Sequence, residues 1–343
     1  LNFLVTGGIK TMELSIIIPT IRIANIGPSI RSICIKDNLK FNFEILIINN
    51  SQNLEEKFDL LNELKNFNIR YFHVKNQGST EARHIGYVYS KSQILSFIDD
   101  DIIVSDSWLE TIINTFKEKK EVSLIGGPST PMTNSTNDIL FLDSLKKNTI
   151  YDCGYINVWH SLIDLKKDIY DVNPDYVFSQ NFSVRKNVFR ECNYFNPDRY
   201  QDKNFELYGD GEFGFTQVFK KKNFLAYYLQ KALVYHVIDR SRISKEYLME
   251  RSKIEGIVIS FSDIRNNRKV NLFKLYSYIV IFHMAKIFFK FFDNKIKYFN
   301  KFYFIKYYIW HQKKVLKNKN LLDWINKKSY MIEEKDIIIK KFL

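Results

Sequence analysis

Five short apolar runs, at Leu14–Ile18, Phe43–Ile48, Ile69–Val74, Ile94–Ile98 and Val122–Ile125, alternate with stretches of helical length near 26–36, 55–66, 79–90 and 107–118. Runs this short and this apolar suit strands buried on both faces. Strands alternating with helices predict βαβ units and a mainly parallel sheet flanked by helices. Such sheets bind ligands beyond the carboxyl ends of their strands. Thr20, Asn49, Asn76 and Asp99–Asp101 all fall there.

The fourth run ends in three consecutive acids, Asp99-Asp100-Asp101. Like charges at the edge of a core repel and raise one another's pKa. A divalent cation relieves this, and hard oxygen ligands suit Mg²⁺ or Mn²⁺. Strand alternation puts Asp99 and Asp101 on one side and Asp100 on the other. The plainer alternative is a solvated turn ahead of the next helix. The first loop, Pro19-Thr20-Ile21-Arg22-Ile23-Ala24, has no Gly-x-Gly-x-x-Gly, and no Gly-x-x-x-x-Gly-Lys-Ser/Thr occurs either. Dinucleotide and P-loop chemistry thereby lose their usual phosphate cradle. Phosphate is left to a metal and to basic side chains, with Asp101 and Arg83 as candidates.

The motifs then fall into a known order. Ser15-Ile16-Ile17-Ile18-Pro19-Thr20, Glu44-Ile45-Leu46-Ile47-Ile48-Asn49-Asn50-Ser51, Asn76-Gln77-Gly78-Ser79-Thr80-Glu81-Ala82-Arg83-His84-Ile85-Gly86 and Phe97-Ile98-Asp99-Asp100-Asp101, closed by Gly126-Gly127-Pro128, resemble the family 2 glycosyltransferases. Gln180-Asn181-Phe182-Ser183-Val184-Arg185-Lys186, Phe195-Asn196-Pro197, Tyr208-Gly209-Asp210-Gly211-Glu212-Phe213-Gly214-Phe215 and Val234-Tyr235-His236 carry the similarity to about residue 260.

The resemblance implies a GT-A catalytic domain over 13–262, with a nucleotide-sugar half at 13–128 and an acceptor half at 129–262. It implies a nucleotide-sugar donor, a UDP-sugar by preference, and a divalent cation, Mn²⁺ or Mg²⁺, on Asp101 of the DXD motif and His236. Pro19, Thr20, Asn49, Asn76, Arg83, Asp99 and Asp100 would bind the donor. Asp210 would be the general base of an inverting single displacement, with Glu212 the neighbouring candidate. Two departures stand out. Asn49 replaces the family's usual Asp, and Gly209 takes the Glu position of its Glu-Asp motif. A sugar-phosphate nucleotidyltransferase would want a glycine-rich basic loop after the first strand, which is absent. A non-catalytic scaffold on the same fold is kept in view by the altered Gly209–Glu212 motif.

Composition fits one large domain with an appendage: 343 residues, 45% hydrophobic. Three scattered cysteines, Cys34, Cys153 and Cys192, make neither a disulfide framework nor a zinc site and point to a reducing compartment. No basic segment followed by an apolar one signals secretion. Residues 1–12 read as an extension. From residue 263 onward there are 19 Lys/Arg against 6 Asp/Glu, whereas the first 262 residues balance at 32 of each. The basic, aromatic tail, 263–343, holds His283, Lys286, Lys290, Asn294, Lys297 and Lys301 at helical spacing. Lysines on one face and aromatics on the other suit either an anionic membrane surface along 270–301 or a helical subdomain packed on the catalytic body. Nucleic acid would want aromatics interleaved with the lysines; here they segregate, so none is expected. The setting that the family resemblance implies is cell-surface polysaccharide synthesis on a glycan or lipid-linked acceptor, in the cytoplasm or peripheral on the inner face of its membrane.

Overall fold

The computed structural model describes residues 11–52, 63–76, 78–133, 135–202, 205–268, 276–277, 279–280 and 295–342. In chain order the strands are β1 (Leu14–Thr20), β2 (Phe43–Asn49), β3 (Asn68–Val74), β4 (Ile94–Ile98), β5 (Ile102–Val104), β6 (Val122–Gly126), β7 (Ser129–Met132), β8 (Tyr155–Asn157), β9 (Leu162–Asp164), β10 (Ile169–Tyr170), β11 (Asn181–Arg185), β12 (Arg199–Asp202), β13 (Phe205–Tyr208), β14 (Leu225–Tyr228), β15 (Val234–Val237) and β16 (Ile339–Phe342). The helices are α1 (Gly27–Ile33), α2 (Ser79–Tyr89), α3 (Trp108–Glu118), α4 (Thr136–Ser144), α5 (Lys186–Glu191), α6 (Gly211–Lys221), α7 (Lys245–Arg265), α8 (Lys295–Leu316) and α9 (Lys319–Ile325). The helix expected over 55–66 lies almost wholly outside the described residues.

Nine strands form the main sheet in the order β10-β14-β6-β11-β4-β1-β2-β3-β16. The pairs β1–β2, β1–β4, β2–β3 and β6–β14 are parallel. The pairs β4–β11, β6–β11, β10–β14 and β3–β16 are antiparallel. The parallel sheet read from the sequence is thus its first half, and the whole is mixed. Strand β11 arrives from the second half of the chain and inserts between β4 and β6 in the opposite sense. A smaller sheet, β5-β15-β7-β9-β8, stands at the carboxyl end of the main one.

Strand β1 shows why the sheet is covered on both sides. Leu14, Ile16 and Ile18 pack with Ile30, Ile33, Trp108 and Ile112 from α1 and α3. Ile17 points the other way, to Ala82 and Ile85 of α2 and a cluster that includes Phe97, Phe182, Phe189, Phe195 and Phe215. Burying each such ring contributes about 1.5–3 kcal/mol. Helix α2 comes so close that a Cβ on Gly86 would sit 2.3 Å from Ile17 Cγ2. A carboxylate also lies in this core. Glu44 is fully buried, and Ser15 Oγ (2.7 Å), the Lys91 amide (2.7 Å) and Arg70 (3.0 Å) satisfy it.

The composition break at residue 262 falls inside α7, which runs through it without interruption. Helix α8 packs along α7, and Phe261 and Ile257 share a buried cluster with Leu207, Val315, Leu321 and Ile325. Of the expected lysine stripe, His283, Lys286, Lys290 and Asn294 lie outside the described residues, whereas Lys301 is exposed on α8. No helix among the described residues is long and apolar enough to cross a membrane.

Candidate functional site

A cleft of about 1460 Å³ opens beyond the carboxyl ends of β1 and β4 and is walled by α7 and the smaller sheet. Pro19, Thr20, Arg83, Asp99–Asp101, Asp210, Glu212 and His236 all line it. These come from five separate segments, so the sheet has gathered what the sequence scatters.

The three acids do not alternate as a strand would. Strand β4 ends at Ile98, and Asp99–Asp101 lie in the turn that leads to β5. The expectation that Asp100 faces away is corrected accordingly, because a turn does not keep the two-residue period of a strand. Asp99 pairs with Arg83 of α2 at 2.6 Å. Asp100 accepts from Thr20 Oγ1 at 2.7 Å and from Arg22 Nη2 at 2.6 Å. The same Nη2 is 3.2 Å from Asp101, which Arg242 Nη1 approaches to 3.4 Å and His236 Nε2 to 3.6 Å. Burial pushes Asp99 up, and its acidic neighbours add to this against the pull of Arg83. Burial would raise Asp101 too, but His236, Arg242 and Arg22 overcome it and hold the carboxyl well below the usual range.

His236 is fixed from behind. Its Nδ1 lies 2.9 Å from the His160 carbonyl oxygen, which can only accept, so Nδ1 carries the proton. The ring's Nε2 then faces Asp101 at 3.6 Å and Arg242 Nη1 at 3.4 Å. That is the arrangement by which a second partner orients a metal-binding histidine. Among the described residues no group of three His, Cys, Asp or Glu side chains meets at ligating distance. Asp101 and His236 are therefore the pair that could hold a cation, with the remaining positions left to ligand oxygens or water. This sparse donor set fits Mg²⁺ or Mn²⁺, which commonly take one or two carboxylates plus substrate phosphates.

Arg83 is buried rather than a surface helix residue. Its Nη1 reaches Ser79 Oγ at 3.1 Å, and Ser79 in turn donates to Asp198. Asp198 also accepts from the Thr80 amide at 2.7 Å, capping the first turn of α2 from a distant loop. Two expected donor residues do not line the cleft. Asn49 is buried, with Nδ2 donating to Tyr71 OH (2.9 Å) and Oδ1 accepting from the Ser51 amide (2.9 Å), so both ends of its amide are used internally. Asn50 and Ser51 reach the cleft instead. Asn76 faces the C-terminal segment, donating to the Asp336 carbonyl (3.2 Å) and accepting from the Ile338 amide (3.1 Å).

Asp210 precedes α6 and Glu212 lies in its first turn. Asp210 Oδ1 accepts from Asn196 Nδ2 at 2.6 Å, while its buried Oδ2 has no hydrogen-bond partner. Burial pushes its carboxyl up to about 6, against the opposing pull of Asn196 and Arg265. Glu212 is also raised by burial, with Arg83 favouring its ionised form and Asp198 and Asp99 disfavouring it. The sequence reading passed over Arg22, Arg242 and Asp198. Arg22 is the basic residue of the first β-strand's carboxyl-end loop, and Arg242 follows His236 in Asp239-Arg240-Ser241-Arg242. Basic residues beside an acidic strand end are the signal that could have found them.

The family model described as "Glycosyl transferase family 2" matches residues 15–139. Over these residues the chain is similar to the family 2 glycosyltransferases. Its fold is GT-A-like, with C-terminal helices added. Over 112 residues the chain is 30% identical to an "Uncharacterized glycosyltransferase" of Rickettsia bellii (strain RML369-C), a match that covers 32% of this chain and 16% of that protein. The crystal structure of S. aureus TarS 1-349 is similar over 89% of this chain and 92% of its own, with 12% identity and a TM-score of 0.48. The same fragment in complex with UDP-GlcNAc is similar over 71% and 65%, with 13% identity and a TM-score of 0.46.

Proposed function

We propose that this chain is an inverting glycosyltransferase that moves a sugar from a nucleotide diphosphate, a UDP-sugar by preference, to a hydroxyl of a glycan or lipid-linked acceptor. The observation that supports this most is one cleft that joins Asp99–Asp101, Arg83 and His236 to a raised carboxylate, Asp210. A divalent cation on Asp101 and His236 would neutralise the charge that develops on the leaving diphosphate. Arg83 offers a planar fork to the donor once Asp99 turns to the ribose. Asp210 takes the acceptor's proton, and it does so in the ionised form that prevails above about pH 6. One such base, with no second carboxylate assigned as a nucleophile among the described residues, favours a single displacement. Glu212, coupled to Arg83 and Asp99, is the second candidate for the base.

The test is hydrolysis and transfer of UDP-sugars with Mn²⁺, alongside UDP binding. Asp101→Asn should abolish Mn²⁺-dependent UDP affinity with the fold intact; an unchanged affinity would remove Asp101 from the metal site. Asp210→Asn should keep UDP binding and cut turnover about 10²-fold or more. If Glu212→Gln is inactive and Asp210→Asn active, the base is Glu212. Absence of any UDP or UDP-sugar binding would favour a scaffold. The proposed setting is cell-surface glycan assembly at the inner membrane face. Co-sedimentation of the full chain with anionic vesicles at low salt, and release at high salt, would support it.

A further inference from the structure

The Asp100–Asp101 face already has a cation belonging to the chain. One nitrogen, Arg22 Nη2, bridges the two carboxylates at 2.6 and 3.2 Å, and Arg242 Nη1 lies 3.4 Å from both Asp101 and His236 Nε2. The other oxygen of Asp100 is fixed by Thr20 Oγ1, which also accepts from the Arg22 amide at 2.9 Å, so side chain and loop are clasped together. Asp100 and Asp101 are largely buried, at 9% and 15% exposed, whereas Arg22 is 39% exposed and sits on a loop. Of the three side chains the arginine is the most exposed.

We infer that Arg22 and a divalent cation are alternative occupants of the face shared by Asp100 and Asp101, so that cation binding displaces Arg22. The inference rests on Asp101 and His236 being the metal pair. A guanidinium keeps its charge at any working pH, so the two cations cannot share the face without repulsion. The displaced fork needs an anion, and a diphosphate matches its geometry. Cation and nucleotide diphosphate are therefore coupled: each makes room or charge for the other, and the coupling is reciprocal. The metal alone binds weakly, and metal with diphosphate binds well. Arg22 sets the order of assembly without being a metal ligand.

Titration of the full chain with Mn²⁺, read from the electron paramagnetic resonance signal of the free ion, tests this without any turnover. Without nucleotide, Arg22→Ala and Arg22→Gln should bind Mn²⁺ roughly three- to tenfold more tightly than the parent, the scale of losing partly exposed ion pairs. Arg22→Lys, which keeps the charge, should stay near the parent. Added uridine diphosphate should tighten Mn²⁺ binding strongly in the parent and much less in Arg22→Ala. Asp101→Asn in the Arg22→Ala background should abolish Mn²⁺ binding. If that loss occurs while Arg22→Ala and Arg22→Gln bind Mn²⁺ no better than the parent, the displacement is wrong and the metal pair stands. If Asp101→Asn leaves Mn²⁺ binding unchanged, the metal pair fails and the displacement fails with it.

Discussion

Gly209 stands where the resemblance calls for a glutamate, and the packing leaves no room for one. A Cβ there would lie 2.1 Å from the Pro197 carbonyl oxygen. The same loop carries Asn196, which holds Asp210, and Asp198, which holds the start of α2. Gly209→Ala should therefore displace Asn196–Asp198, cost about 1–3 kcal/mol in a melting experiment and lower donor affinity as well. A fully stable, fully binding variant would mean that the loop yields freely. Asp210 offers a second measurement. In the folded chain its proton is held to about pH 6, while an unfolded aspartate releases it near 3.9. Between those values the folded state binds more proton, so stability falls as pH rises through the window, and the cost is complete above it. Asp210→Asn should raise Tm at pH 8 and change it little at pH 4, even as turnover falls. A lower Tm at pH 8 would mean that the ionised carboxylate is favoured in the fold. The acids themselves could be read from the sequence because their repulsion is local. Arg22 and Asp198 could not, because their meaning arises only when distant loops meet.

Helix α7 runs across the position where the sequence changes charge. A shift in charge at residue 262 marks a change of surface, and nothing in it requires the backbone to break. What joins α7 to α8 is close contact: a Cβ on Gly256 would come within 2.3 Å of the Phe304 carbonyl oxygen. Gly256→Val should push the helices apart and cost about 1–3 kcal/mol, with little effect on UDP affinity if the cleft is held by the sheet. Arg265, at the end of α7, donates to the Ile325 and Lys327 carbonyls at 2.5 and 2.8 Å, so the segment after α9 is bound to the same helix. Strands β1 to β4 were readable because each is apolar along its length and is followed by a helix. Strands β11 and β14 were not paired in advance, since a short apolar run does not state its partner or its direction.

The basic tail is structural over the part described. Removal of residues 263–343 would uncover Leu207, Ile257 and Phe261 and strip β16 from β3. Such a shortened chain should aggregate, as light scattering after size-exclusion chromatography would reveal, since it offers both apolar surface and an open strand edge. A monomeric, soluble product would mean that the tail is an independent attachment. The pairing of β16 with β3 also fixes an order in time. A ribosome completes β3 at Val74 and must still add every residue up to Ile339 before that edge can close. The nascent sheet therefore waits with one border open through most of synthesis. Chaperone demand during translation should therefore follow this last-paired strand rather than the strands that pair earlier.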